Sequence, residues 1–359
     1  MAIARRTSHN WGMTAATPSA DRLTEPWQLG PLRVPNRVLL APLAGIGNWF
    51  VRLQAKRYGA GMAVSEMVST HAIHYGNEKT CVEMLRIDPR ERAGGPVSIQ
   101  LFGADPAMMR SAAARVAEVG ADAIDINMGC PVAKVCKTGA GAALLADPDR
   151  AVAVARAAVE GAVGGQGALP VTVKLRSGLH AGETSGFDLA RRLVEEAGVA
   201  AIAFHPRSAA VQHRGVPDYT LAARLVESLG APVILTGGLG DAARVREAFA
   251  VTGASAVMLA RGALGNPWLF AELVAGRERA PTPAEVVEEL HWTIERAVEH
   301  LGEPRATRYL RKFYPWYLAR LQMDAPSAKH LQAQLQQSET LGEVRQLLQA
   351  RPAALALAV

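Results

Sequence analysis

Polar residues able to do chemistry recur at the ends of otherwise apolar runs in this chain of 359 residues. The run Val97–Phe102 carries Gln100 beside Ser98 on one face, by the period-two alternation of a strand. Ala123–Met128 carries Asp125 and Asn127, and Cys130 follows between Gly129 and Pro131. Val171–Arg176 places Thr172, Lys174 and Arg176 on one face. Ala201–Pro206 ends in His205-Pro206, with Arg207 just beyond. Gly237 and Gly238 follow Pro232–Thr236, and Arg261 and Gly262 follow Ala256–Ala260. A charge inside a strand is costly unless it is paired or meets a ligand. Lys174, His205 and Arg261 therefore point to something anionic or polar at one place. A network of internal salt bridges is the competing account, and agreement among so many runs weighs against it. Gly237, Gly238 and Gly262 let backbone N–H groups approach phosphate oxygens, and Arg261 can add a bidentate contact. With a lysine to hold negative charge on a reduced ring, this suggests a phosphate-bearing cofactor such as FMN. Cys130 reads as a loop thiol rather than a small core hydrophobe, because its neighbours make a loop. Cys81 and Cys136 lack that context and read as structural or exposed spares.

The elements that must position these residues alternate along the chain. Short apolar runs lie at Arg37–Ala41, Met62–Met67, Val97–Phe102, Ala123–Met128, Val171–Arg176, Ala201–Pro206, Pro232–Thr236 and Ala256–Ala260. Helical patterns with apolar spacings of three and four lie between them, at Pro106–Val119, Asp147–Val163, Phe187–Ala197, Tyr219–Ser228 and Asp241–Thr252. Repeated strand–helix units imply parallel strands, and this many in succession predict a (β/α)8 TIM barrel with its site at the C-terminal strand ends. A doubly wound sheet would show a Gly-rich fingerprint after its first strand. Here that strand is followed by Ala41-Pro-Leu-Ala-Gly-Ile, which lacks it. From Pro281 the strand signal stops, and helical patterns cover Ala284–Leu301, Arg305–Leu321, Ala328–Gln337 and Leu341–Ala350. The expected organisation is a mobile basic tail over 1–26, a barrel over 27–280 and a small C-terminal all-helical domain over 281–359.

With 49% apolar and 20% charged residues, the chain falls among ordinary globular proteins. No apolar run reaches the ~18 residues a membrane helix needs, and the N-terminus lacks the apolar segment of a secretory signal. Three cysteines without a CxxC pair suit a reducing cytoplasm and argue against a structural zinc site, so no metal is expected. Net charge +6 attracts polyanions, although high arginine content alone gives the same sign. More specific is the stretch Pro304–Arg320, with Arg305, Arg308, Arg311, Lys312 and Arg320 and no acidic residue. Arg305, Arg308 and Lys312 fall on one helical face, suited to RNA phosphates. Tyr309, Trp316 and Tyr317 are expected to pack the helical core, and Pro315 to kink or end the helix.

In order along the chain, Ala41-Pro-Leu-Ala-Gly45, Ser65-Glu-Met67, Asp125-Ile-Asn-Met-Gly-Cys-Pro131, Lys174-Leu-Arg176, His205-Pro-Arg207 and Gly262-Ala-Leu-Gly-Asn-Pro-Trp268 resemble the bacterial tRNA-dihydrouridine synthases, most like the B-type branch. The resemblance runs over roughly residues 30–320. It implies reduction of the C5=C6 bond of uridines in tRNA to 5,6-dihydrouridine, with tightly bound FMN and NADPH as electron donor. It implies Cys130 as general acid, and an FMN shell of Pro42, Leu43, Ala44, Gln100, Lys174, His205, Gly237, Gly238, Ala260 and Arg261. Asn127 and Arg176 would contact the flipped uracil or the flavin edge, Arg207 would join the substrate contacts, and the helical tail would recruit tRNA. A monomer is expected. Five positions depart from the family pattern: Leu43 for Met, Thr236 and Gly238 in Thr236-Gly-Gly238 for Asn-Gly-Asp, Pro206 for Gly and Phe313 for His; the last two are expected to alter RNA contacts. The alternative is an FMN barrel reductase or dehydrogenase acting on a free pyrimidine or enone, like dihydroorotate dehydrogenase, which has no need of a basic helical tail. A further rival, an RNA-binding barrel that has lost its flavin, would not keep Lys174 and the glycine cup.

Overall fold

The computed structural model describes residues 20–164, 167–277 and 280–349. Eight parallel strands close into a barrel: β1 (Val38–Leu40), β2 (Met62–Ser69), β3 (Val97–Phe102), β4 (Ala123–Met128), β5 (Val171–Arg176), β6 (Ala201–His205), β7 (Val233–Thr236) and β8 (Ala256–Leu259). β8 pairs with β1, placing Val257 opposite Val38, and this closes the ring. Helices α1 (Trp49–Arg57), α2 (Pro106–Glu118), α3 (Pro148–Gly161), α4 (Ser185–Ala197), α5 (Tyr219–Ser228), α6 (Ala242–Thr252) and α7 (Trp268–Val274) follow strands around the outside. Between β2 and β3 lie only short turns, at Thr70–His74, Thr80–Met84 and Pro89–Arg92.

Local sequence explains the helix ends. Asp105, Asp147, Asp218 and Asp241 each accept a backbone N–H in the first turn of α2, α3, α5 and α6. Proline occupies the first turn of α2 and α3, where its missing N–H costs nothing. Gly198 and Gly253 end α4 and α6 in the left-handed conformation, at φ +72° and +65°.

Two apolar layers result from strand alternation. Residues facing outward, such as Ile99, Ile124, Ile126, Val173 and Phe204, pack under the helices. Inward-facing Leu39, Met62, Val64, Ala203, Ile234 and Met258 fill the lower barrel. A hairpin, Trp27–Leu29 with Leu32–Val34, plugs that end with Trp27, Leu29 and Val34. The upper interior is polar, and the site begins there.

The C-terminal helices are α8 (Pro283–Leu301), α9 (Glu303–Leu310), α10 (Tyr314–Leu318), α11 (Ala325–Gln337) and α12 (Leu341–Gln349). The single helix expected over Arg305–Leu321 is thus two. The break falls where Pro315 is expected to end the helix, because proline has no N–H for Arg311 O and its ring crowds that carbonyl. Pro315 itself lies in the first turn of α10, a position where proline is tolerated. These helices share one buried apolar cluster with the barrel helices. A buried polar patch joins them: Gln54 Nε2 donates to Glu289 Oε1 at 2.8 Å and to the Tyr317 hydroxyl at 2.7 Å. Of the expected tail, residues 1–19 lie outside the described residues. Residues 20–24 form a 3-10 turn with Leu23 buried, and Arg37 N–H donates to Leu23 O at 2.9 Å. The last residue of the helix expected over Leu341–Ala350 lies outside the described residues too.

Candidate active site at the barrel mouth

β3, β4 and β5 stand side by side, with Gln100 opposite Asp125, Asp125 opposite Thr172, and Asn127 opposite Lys174. Their inward side chains form one chain of hydrogen bonds. Gln100 Nε2 donates to Asp125 Oδ2 at 2.6 Å, Thr172 Oγ1 donates to Asp125 Oδ1 at 2.5 Å, and Asn127 Nδ2 donates to Gln100 Oε1 at 3.0 Å. Burial pushes the Asp125 carboxyl up, while the hydrogen bonds from Thr172 and Gln100 oppose that shift. Asp125 and Thr172 thus fix the amide of Gln100.

Lys174 rises from β5 into the same space. No hydrogen bond or ion pair from a described residue holds its ammonium, in contrast to Lys56, which donates to Glu91 O at 2.8 Å. Burial pulls Lys174 below the ordinary lysine value, Arg176 pulls the same way, and Asp125 and Cys130 oppose them. A half-buried cation without a partner is an arrangement that an anionic or polar ligand would offset.

Cys130 is half-buried just past β4. Asn127 Oδ1 accepts both its backbone N–H at 2.9 Å and that of Gly129 at 3.2 Å. Its carbonyl accepts from Ala142 N–H at 2.9 Å and from the Cys136 thiol at 3.3 Å. The loop is therefore pinned at both ends of the Cys130 residue, and Cys136 is one of the pins rather than a spare.

Arg176 is buried, and its guanidinium is occupied: Nε donates to Gly129 O at 2.8 Å, and Nη1 to Ser208 O at 3.1 Å and Gln212 O at 2.8 Å. It ties the Cys130 loop to the loop after β6. Burial, with Arg207 adding, lowers it to about 10. Arg207 is buried as well; it donates to Gly215 O and lies 3.3 Å from His205 Nε2. His205 is held neutral, far below the ordinary histidine range, by burial and then by Lys174, Arg176, Arg207 and His213.

After β7, Gly237 has φ +101°, and a Cβ there would sit 2.5 Å from His205 Nε2. Gly238 has φ +75°, and a Cβ would sit 2.5 Å from Pro217 Cγ. After β8, a Cβ on Gly262 would meet Leu239 O at 2.5 Å. Ala260 is half-buried and Arg261 is exposed beside this cup. All three glycines are therefore required by close packing against His205, Pro217 and Leu239, and their bare backbone follows the ends of β7 and β8. Pro42 and Ala44 lie in the loop after β1, with Ala44 exposed. Leu43 turns down instead, into an apolar gap lined by Leu40, Val51, Phe270 and Phe313.

Phe313 corrects an expectation. It is buried in that gap and packs on Tyr309 and Trp316, at 5.2 Å from each ring, so it lies out of reach of RNA. Pro206 is likewise buried, and its carbonyl accepts from Asp218 N–H at 3.2 Å. Tyr317 is buried as core, while Tyr309 and Trp316 are half-buried. Arg305, Arg308 and Lys312 are all exposed, in differing states. Arg305 makes a bidentate pair with Glu83, at 2.8 Å for each bond. Lys312 donates to Gly45 O. Arg308 has no hydrogen bond or ion pair with any described residue.

Two residues at the mouth escape a reading of strand periods. His213 stacks on His205, with ring centroids 5.7 Å apart and planes at 25°. Glu66, at the register shift within β2, accepts from Gly45 N–H at 2.8 Å. His213 depends on the path of a loop in which Gln212 takes φ +56°, and no periodicity carries that signal. Glu66 was visible within Ser65-Glu-Met67, where it breaks an apolar run.

A closed parallel barrel with a cationic, glycine-lined mouth and a loop thiol defines a ligand-binding enzyme barrel. Residues 39–357 match the family model described as Dihydrouridine synthase (Dus), and the chain belongs to that family. It is 37% identical over 314 residues to "tRNA-dihydrouridine synthase B" of Pseudomonas aeruginosa, covering 86% of this chain and 90% of that one. It is 35% identical over 338 residues to "Probable tRNA-dihydrouridine synthase 1" of Synechocystis, covering 92% and 91%. Among solved structures, morphinone reductase shares the fold at TM-score 0.54 and 19% identity, covering 74% of this chain and 91% of that one. Among the described residues no helix is long and apolar enough to cross a membrane, and no cluster of His, Cys, Asp and Glu could hold a metal ion.

Proposed function

We propose that this protein reduces the C5=C6 bond of uridines in tRNA to 5,6-dihydrouridine, using FMN in the barrel mouth and NADPH as electron donor. The observation that carries the cofactor reading is Lys174: a half-buried ammonium with no hydrogen bond or ion pair to a described residue, at the barrel mouth beside an amide fixed by Asp125. Lys174, Gln100 and His205 would hold the ring system. Gly237, Gly238, Ala260 and Arg261 would hold the phosphate, with Pro42, Leu43 and Ala44 bordering the site. When bound, the flavin supplies a hydride to C6 of the uracil.

The protein's own residues complete the reaction. Negative charge develops at C5 and O4, and C5 must take a proton. Cys130 donates it from its thiol as a general acid, leaving a thiolate. Asn127 and Arg176 hold the Cys130 loop in place, and Asn127 is within reach of the base edge. Arg207, with His205, shapes the floor below. A uridine in folded tRNA must be flipped out to enter, at a cost of about a few kcal/mol. Contacts elsewhere on the RNA offset that cost, and the C-terminal region from 281 on, with Arg305, Arg308 and Lys312, is where we place them. The reading makes the protein a cytoplasmic enzyme acting as a monomer.

The test is to reduce the bound flavin without oxygen, then mix with tRNA lacking dihydrouridine, with free uridine and orotate in parallel. Rapid flavin reoxidation by tRNA, with dihydrouridine in the digested product, is expected. Reoxidation by a free pyrimidine with tRNA inert would overturn the reading.

A further inference from the structure

The loop joining β1 to α1 carries Pro42, Leu43 and Ala44, and it is held largely from outside. Within it, the N–H groups of Ile46 and Gly47 both donate to Leu43 O, at 3.0 and 2.7 Å. Gly45 sits at the tip with φ +70°, and both polar groups of its residue are gripped by opposite charges. Its N–H donates to Glu66 Oε2 at 2.8 Å, and its carbonyl accepts from Lys312 Nζ. The Tyr309 hydroxyl donates to Ile46 O at 3.1 Å and accepts from Asn48 Nδ2 at 2.6 Å. The Lys312 ammonium lies 3.8 Å from the centre of the Tyr309 ring, a cation–π contact that ties the two together. Glu66 also donates its backbone N–H to Gly47 O at 3.1 Å. Lys312 and Tyr309 come from the helical region; Glu66 comes from β2.

We propose that Glu66, Tyr309 and Lys312 are positioning residues for the flavin: they clamp the loop 42–48 and thereby make the helical region part of the cofactor site. This rests on the reading above for the identity of the ligand. Lys312 lies in the turn between α9 and α10, off the helical face that carries Arg305 and Arg308, and its ammonium is committed to a loop carbonyl. A charge-assisted hydrogen bond at each side of one glycine does what a flexible loop tip requires, which is to hold it in one conformation. Lys312 then acts on the flavin through the loop, without touching it.

The clamp is tested on the holoenzyme in the absence of RNA. Flavin release after dilution is followed by the fluorescence of the freed cofactor. Lys312→Met and Glu66→Ala are expected to release flavin about tenfold faster than wild type. Lys312→Arg keeps a donor and restores slow release, and Lys329→Met, an exposed charge loss elsewhere, leaves release unchanged. Lys312 is exposed, so its replacement leaves the fold intact, which the unfolding midpoint of the flavin-free form checks. Wild-type release rates in Lys312→Met would overturn the clamp while leaving the flavin reading standing. A protein that binds no flavin at all would overturn the reading and remove the clamp's ligand.

Discussion

Asn127 carries Cys130: a single side-chain oxygen accepts the backbone N–H of Cys130 at 2.9 Å and that of Gly129 at 3.2 Å. Asn127 is in turn fixed by donating to Gln100, which Asp125 holds. The thiol's position is thus set by the polar interior of β3 and β4, not by the loop alone. Replacing only the thiol, as in Cys130→Ala, leaves this scaffold intact. The expected result is a loss of about 10²–10⁴ in the single-turnover rate of reduced enzyme with tRNA, with flavin content and tRNA affinity unchanged. Full turnover in Cys130→Ala would remove Cys130 from the proton-donor role.

Lys174 is the residue with most to gain from a ligand. Burial is the largest influence on its charge and disfavours it, so in the flavin-free protein the ammonium destabilises the fold. Lys174→Met should therefore raise the unfolding midpoint of the flavin-free form. The same change should weaken flavin retention by at least about tenfold, through loss of a charged hydrogen bond. Opposite signs from one substitution separate a ligand-binding lysine from a structural one. A variant that is less stable and still holds flavin normally would show that Lys174 serves the fold.

Much of this was legible in the sequence, because strands buried on both faces read as apolar runs in which the few polar residues stand out, and period two puts them on one side. The runs Val97–Phe102, Ala123–Met128 and Val171–Arg176 coincide with β3, β4 and β5, and the polar residues read as sharing a face do meet in the interior. What escaped depends on loops. Nothing local shows that Arg176 spends its donors on three carbonyls, that His213 folds back over His205, or that Lys312 reaches Gly45 across more than 260 positions of sequence. Phe313 escaped for the same reason: it turns into a gap lined by Leu40, Val51 and Phe270, and no local pattern shows that burial.

The two stacked histidines make a pH prediction with a definite sign. His213 is lowered to about 4 by burial and by Arg261, Arg176, Arg207 and Lys174; His205 is lowered further. Both are neutral in the fold, whereas an unfolded histidine titrates near its ordinary 6.5. Above that value neither state binds the proton, and stability is unaffected. As pH falls from 6.5 toward 4, the unfolded chain takes up protons that the native state refuses, so stability declines. Denaturant midpoints across this range should fall for wild type and fall less steeply for His213→Asn. Equal slopes in the two proteins would show that the cations around His213 do not set its protonation.

Arg305 and Arg308 lie three residues apart on one helical face, and only Arg308 has its charge free of a described partner. Each phosphate contact made by a free cation contributes a counterion released on binding, so removing it lowers the salt dependence of affinity by about one unit of slope. Arg308→Ala is expected to weaken tRNA binding and reduce that slope by about one. Arg305→Ala should do less, because Glu83 already neutralises that guanidinium. An exposed pair of this kind contributes little stability, about 0–1 kcal/mol, so it can be opened without harm to the fold. Glu83→Gln then frees Arg305 and should strengthen tRNA binding and steepen the salt slope, the opposite of both arginine deletions. Filter-binding titrations of the three variants at several salt concentrations decide the matter: if Glu83→Gln leaves affinity unchanged, the face of α9 that carries Arg305 is turned away from the RNA.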